Sequence, residues 1–153
     1  MVTVARQTKR RLGEILTDEG LLTEDQIQDA LKRQKATGEL LGESLVKLGY
    51  VTENDIARTV STQFGYPYLN AARYFIPRDI IALVPVETAV EHQIVPLDSI
   101  GKCLLVAVAG VVPEDVLVKL EQRTGLSCCI YVSTGSQILD AIKRNYQAAA
   151  ARK

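Results

Sequence analysis

One stretch of this chain is written twice. RLGEILTDEGLLTEDQIQDALKRQ (residues 11–34) is followed by LLGESLVKLGYVTENDIARTVSTQ (residues 40–63). Matched positions stand 29 apart throughout: Leu12 and Leu41, Gly13 and Gly42, Leu16 and Leu45, Gly20 and Gly49, Thr23 and Thr52, Gln34 and Gln63. Two units of 24 residues joined by a connector of five are too few for a solenoid, which needs about three or more stacked repeats. A single pair of equal units instead implies an object with two-fold character. Such an object suits a ligand that is itself two-fold.

Each unit reads as a short helix, a glycine stop and a longer helix. Leu12, Ile15, Leu16 and Glu19 lie at helical spacing, and Gly20 fits a left-handed C′ position. Thr23 is a good N-cap with Gln26 three residues on, a capping-box pattern that Thr52 and Asp55 repeat. The longer helices carry Ile27, Ala30, Leu31 and Gln34, copied as Ile56, Thr59, Val60 and Gln63. An apolar stripe therefore ends in an amide both times. Each amide either satisfies its own helix end or solvent, or pairs with a polar ligand edge, since Gln both donates and accepts. Gly13 and Gly42 sit one turn into short helices, where glycine costs about 1 kcal/mol against alanine. Either close helix packing or close approach of a ligand would explain them.

The second half changes character. Residues 64–70 (FGYPYLN) are turn-rich, and Tyr66 and Tyr68 there read as packing residues between two subdomains. Prolines 77 and 85 open short helices over 78–83 and 86–91. Residues 92–98, 103–109 and 126–132 read as strands, the middle one apolar enough to be buried on both faces. Helices are expected over 113–124 and from Ser133 or Thr134 onward. The fold class is α+β: an N-terminal tandem helical module, then a small α/β sandwich in the order β-β-α-β-α. The expected division is a flexible arm (1–9), a tandem-repeat module (10–70) and an α/β subdomain (71–153).

Composition narrows the function. Formal net charge is zero, which argues against duplex DNA binding. The longest uncharged apolar run, residues 103–112, is far below the roughly 20 residues that span a membrane. Cys103, Cys128 and Cys129 have no metal spacing and read as buried reduced thiols of a cytoplasmic protein. No phosphate loop occurs. The only histidine, His92, reads as structural, and Glu14 and Glu43 fall on exposed helix surfaces with no acid–base partner. No catalytic site, metal site or cofactor is expected. The basic run Arg6, Lys9, Arg10, Arg11 is either a solvated arm or an anion contact leading into the first repeat.

The doubled R-L-G-x-x-L-x-x-x-G pattern with its terminal Gln34 and Gln63 resembles the N-terminal domain of bacterial type II secretion and type IV pilus assembly ATPases, in the version that binds cyclic di-GMP. Residues 76–98, LLVAVAG and the final ILDAIKRNY are similar to the small α/β part of that family. The resemblance implies that the ligand meets Arg11, Leu12, Gly13, Leu31 and Gln34 from the first copy, with Arg10 in support. From the second it implies Leu41, Gly42, Val60 and Gln63, with Leu40 standing where the first copy has Arg11. Leucines would cover the base faces, and an Arg would take guanine O6 and N7 or a phosphate. Ile27, Ile56 and Val60 replace leucines of the pattern. Gly110-Val111-Val112-Pro113 stands where the family often has Asp-Pro.

The resemblance thus implies a cyclic di-GMP-binding regulatory module, not an enzyme. It would be cytoplasmic, touching the inner membrane only through a secretion or pilus ATPase or a platform protein. The alternative is a docking domain between a secretion ATPase and an inner-membrane component, without nucleotide; a hydrolase is a distant third.

Overall fold

Caps written into the repeat set where its helices begin and end. The computed structural model describes residues 12–151, with side chains through residue 146. Its helical half comprises α1 (Leu12–Asp18), α2 (Glu24–Thr37), α3 (Leu41–Lys47) and α4 (Glu53–Phe64). The Thr23 hydroxyl accepts the Gln26 N–H at 3.3 Å, and Gln26 Oε1 accepts the Thr23 N–H at 3.0 Å. Thr52 and Asp55 make the same reciprocal pair, both bonds at 3.0 Å. At the other end, the N–H groups of Gly20 and Leu21 bond the carbonyls of Thr17 and Leu16. Gly49 and Tyr50 do the same to Val46 and Leu45. Both glycines are left-handed, at φ 78° and 79°, which closes a Schellman motif in each copy. The duplication in sequence is therefore a duplication of backbone.

The connector ties the copies together through one carboxylate. Glu39 accepts from Arg33 Nε on α2 at 3.0 Å, from Ser44 Oγ on α3 at 3.3 Å, and from Lys47 Nζ. Tyr50 adds a second tie, its hydroxyl donating to Asp29 at 2.8 Å. The apolar stripes of both copies, including Ile15, Leu16, Ala30, Leu45 and Val60, bury into one core.

The second half has the expected order. After α5 (Arg78–Ile81) and α6 (Val86–His92) come β1 (Ile94–Ile100), β2 (Cys103–Val108), α7 (Glu114–Thr124), β3 (Ser127–Val132) and α8 (Gly135–Ala151). The sheet runs β1-β2-β3; the first pair is antiparallel and the second parallel, joined through α7. Alternate residues Leu104, Val106 and Val108 pack with Ile94, Leu97 and Ile138 in a second core.

Several sequence expectations shift. The helix expected over 78–83 ends at Ile81, and Pro77, Pro85 and Pro113 stand just before their helices rather than in them. The strand expected over 92–98 starts at Ile94, because Gln93 takes a left-handed φ of 51° that ends α6. It then runs through Pro96, which β1 tolerates as an edge strand: the register shifts between Pro96 and Asp98. Burial of β2 on both faces is incomplete, since Cys103 and Leu105 are half-buried. Of the three free cysteines only Cys128 is buried.

The joint between the halves is backbone. Leu69 N–H bonds the Val132 carbonyl, and Val132 N–H bonds the Pro67 carbonyl, each at 2.9 Å. Val132 itself belongs to the helical core, so the end of β3 enters it. The rings of Phe64 and Tyr66 stack at 5.4 Å, and Tyr66 packs against both cores. Tyr68 is exposed and accepts from Gln137 Nε2 at 2.6 Å. Thr134 caps α8 by accepting the Gln137 N–H at 3.3 Å, while Ser133 serves the linker, accepting the Ala71 N–H at 3.2 Å. Among the described residues no helix is long and apolar enough to cross a membrane.

The connector makes an acid-limb prediction. Contact with Lys47, opposed by burial and reinforced by Arg33, holds the Glu39 carboxyl at about 2, below its ordinary 4.5. A lowered carboxylate stabilises the fold above its unfolded pKa and stops doing so as pH falls through the folded one. Glu39→Gln should therefore melt below the native protein at pH 7. The gap should close between about pH 4.5 and pH 2 in thermal melts followed by circular dichroism.

Candidate ligand-binding site

The two copies meet leucine to glycine. A Cβ placed on Gly13 would lie 3.5 Å from Leu41 Cδ2 and 3.5 Å from Ile27 Cδ1. One placed on Gly42 would lie 3.5 Å from Leu12 Cδ2 and 3.4 Å from Ile56 Cδ1. Moving each residue to its copy exchanges the two sets of contacts, the mark of an isologous, two-fold-like pairing.

Beside this contact lies a cleft of about 820 Å³. The helical half contributes Leu12, Leu31, Leu40, Leu41 and Gly42, with Gln34 as a polar member. The sheet-bearing half contributes the loop from Ala109 to Pro113, the first residues of α7 and α8, and Leu139. The lining is an apolar shelf facing polar helix ends, the usual make-up of a small-molecule site.

The sequence-predicted site divides here. Leu12, Leu31, Gln34, Leu40, Leu41 and Gly42 share the cleft. Gly13, Val60 and Gln63 do not line it. Gly13 is covered by Ile27 and Leu41, and Val60 is fully buried in the helical core. Gln63 is exposed at the end of α4 and donates to Glu19 at 2.8 Å. The physical reason is that the second half of the chain packs on one side of the pair only, so equal residues meet unequal surroundings. Arg10 and Arg11 lie outside the described residues; Leu12, next in the chain, is in the cleft. Glu43, expected on an exposed surface, is half-buried, lines the cleft and accepts the Leu40 N–H at 3.2 Å.

Several lining residues carried no signal of function. Gln93, Glu53, Gly135 and Ser136 come together only through packing of the two halves. The punctuation Gly110, Pro113 and Gly135 marked turns without marking a site. His92, read as structural, also lines the cleft, its Nε2 at 3.6 Å from Glu91. The charges are unbalanced. Glu43, Glu53, Glu114 and Asp115 face Lys47, which is already engaged by Glu39. The N–H groups opening α7 and α8 are the lining's other positive ends. Among the described residues no cluster could hold a metal ion.

The family model for the MshEN domain matches residues 64–152. The chain belongs to the MshEN domain family, the N-terminal domain of type IV pilus and type II secretion ATPases. The matched stretch is the linker and sheet-bearing half; the doubled repeat precedes it. The type IV pilus assembly ATPase PilB of Thermus thermophilus is 37% identical over 139 residues, which is 90% of this chain. The chain spans 16% of that protein's length. A structure of MshE with cdg superposes at a TM-score of 0.65 with 25% identity, covering 90% of this chain and all of that one. The N-terminal domain of XpsE superposes at 0.67 with 22% identity, covering 94% and 97%, a likeness of fold.

The geometry at Gly13 requires glycine neither for packing nor for the cleft, which Gly13 does not line. Its missing Cβ would meet only ordinary van der Waals neighbours. Gly13→Ala should raise stability by up to about 1 kcal/mol, the helix-propensity difference, in a denaturant titration. A loss of stability would mean that helix packing demands the glycine.

Proposed function

We propose that this MshEN domain binds cyclic di-GMP in the cleft between its doubled helices and its sheet, as a regulatory module that passes occupancy to the ATPase or inner-membrane partner of a pilus or secretion system. In this reading residues 10–70 are the ligand-binding module and residues 71–153 the subdomain that covers it. The module performs no chemistry of its own. One observation carries the reading: leucines from both copies, with Gly42 and Gln34, line one cleft of about 820 Å³. A two-fold dinucleotide has two flat bases for such a shelf and polar base edges for an amide. The similarity to MshE, solved with cdg, the abbreviation of cyclic di-GMP, supports it.

The ligand's two phosphates need cations, and Lys47 of the described lining is already engaged by Glu39. Arg10 and Arg11 stand immediately before Leu12 and supply them in this reading. Contacts between arginine and phosphate are screened by salt. Calorimetric titration with cyclic di-GMP should therefore give a micromolar or tighter Kd (about −8 kcal/mol). Arg11→Ala should abolish most of the binding and flatten its salt dependence. Gln34→Ala should weaken it about tenfold, while Gln63→Ala leaves it unchanged, because Gln63 lies away from the cleft. No heat at high ligand concentration ends the reading.

The four carboxylates of the lining favour a second reading, a docking cleft for an apolar and basic segment of a secretion or pilus partner. Capture of an inner-membrane platform protein that is indifferent both to nucleotide and to Arg11→Ala would favour it over the first.

A further inference from the structure

Gln93 carries two costs at one position. It is the only non-glycine with positive φ among the described residues, at 51°, a helix-ending conformation that is costly for a residue with a Cβ. It is also 4% exposed and among the residues lining the cleft, and its side-chain amide has no hydrogen-bond partner among the described residues. A buried unpaired amide is unfavourable unless something completes it.

The same corner holds the start of α8, a helix of 17 residues. A Cβ on Gly135 would lie 3.3 Å from Glu53 Oε1 and 3.7 Å from Gln93 Oε1, so glycine allows both side chains to approach the helix end closely. The Ser136 N–H donates to Glu53 Oε1, and its hydroxyl donates to Glu53 Oε2 at 2.8 Å. Glu53 also lies in the first turn of α4. One carboxylate thus occupies the positive end of α8 from across the cleft, as an external anion would.

We propose that Gln93 and the first turn of α8 form an anion subsite that takes a phosphate oxygen of the nucleotide, and that Glu53 keeps this subsite filled until the ligand displaces it. The inference rests on the nucleotide reading above and adds to it how occupancy is sensed. Glu53 belongs to the helical half and Ser136 to the sheet-bearing half. Exchanging the carboxylate for a phosphate replaces a tie within the protein by one through the ligand. The unpaired amide of Gln93 then gains a charged partner, and the carboxylate is released to water.

The test is calorimetry with cyclic di-GMP on the native protein, Glu53→Gln and Gln93→Gly, together with amide NMR of Gly135 and Ser136. Glu53→Gln keeps an acceptor for Ser136 but removes the charge. Gln93→Gly removes the amide while suiting the positive φ, so the variant stays folded. Expected are binding about tenfold tighter in Glu53→Gln and about tenfold weaker in Gln93→Gly, with shifts of both amides on titration. Native binding with both variants unchanged and both amides unmoved overturns the subsite and leaves the nucleotide reading standing. Binding by Glu53→Gln alone supports the displacement. Absence of binding in both the native protein and Glu53→Gln overturns subsite and nucleotide reading together.

Discussion

The reciprocal seating of Leu12 on Gly42 and Leu41 on Gly13 is what the remaining architecture rests on. It brings α1 and α3 together and lets the stripes of both copies close over a common core. Leu12 and Leu41 also line the cleft, so the contact that pairs the copies builds part of the shelf. Packing and site share atoms. A change at either leucine therefore acts on fold and cleft at once, whereas a change at Gln34 acts on the cleft alone.

A paired object becomes a one-sided site because its cover is not paired. The sheet-bearing half is a single unit entering through Val132 and the linker before Ala71. It can lie against only one side of the two-fold-like pair. Leu31 and Gln34 consequently border the cleft, while their copies Val60 and Gln63 are respectively buried in the core and left in solvent. The sequence already records this inequality: Leu40 stands where the first copy has Arg11, and Val60 where it has Leu31.

Local chemistry was legible in the sequence; tertiary placement was not. Thr23, Thr52, Gly20 and Gly49 declared the helix ends because caps depend on a few neighbouring residues. The β-β-α-β-α order was legible from apolar runs and their punctuation. Whether a strand can carry Pro96 depends on its being an edge, which only the assembled sheet decides. Gln93 offered no sign at all. Its strain and its missing partner arise from how α6, β1 and α8 are set against one another. Of the repeat positions that the family resemblance implied, Leu12, Leu31, Gln34, Leu40, Leu41 and Gly42 border the cleft, and the lining drawn from the second half was not among them.

The cleft's electrostatics make the arm before Leu12 and the helix ends complementary rather than redundant. In the proposed reading a ligand with two negative phosphates would meet Glu43, Glu53, Glu114 and Asp115 in the described lining. Lys47 offers little, since Glu39 engages it. Glu43 is itself occupied in bonding the start of α3, and Glu53 in bonding the start of α8. Carboxylates held by helix N–H groups are partly neutralised where they sit, so their repulsion on a guest is less than their number implies. In the proposed reading Arg10 and Arg11 bring full charges and α8 a dipole. An anion held between unlike partners is fixed in direction as well as in place, which is what a module reporting occupancy needs.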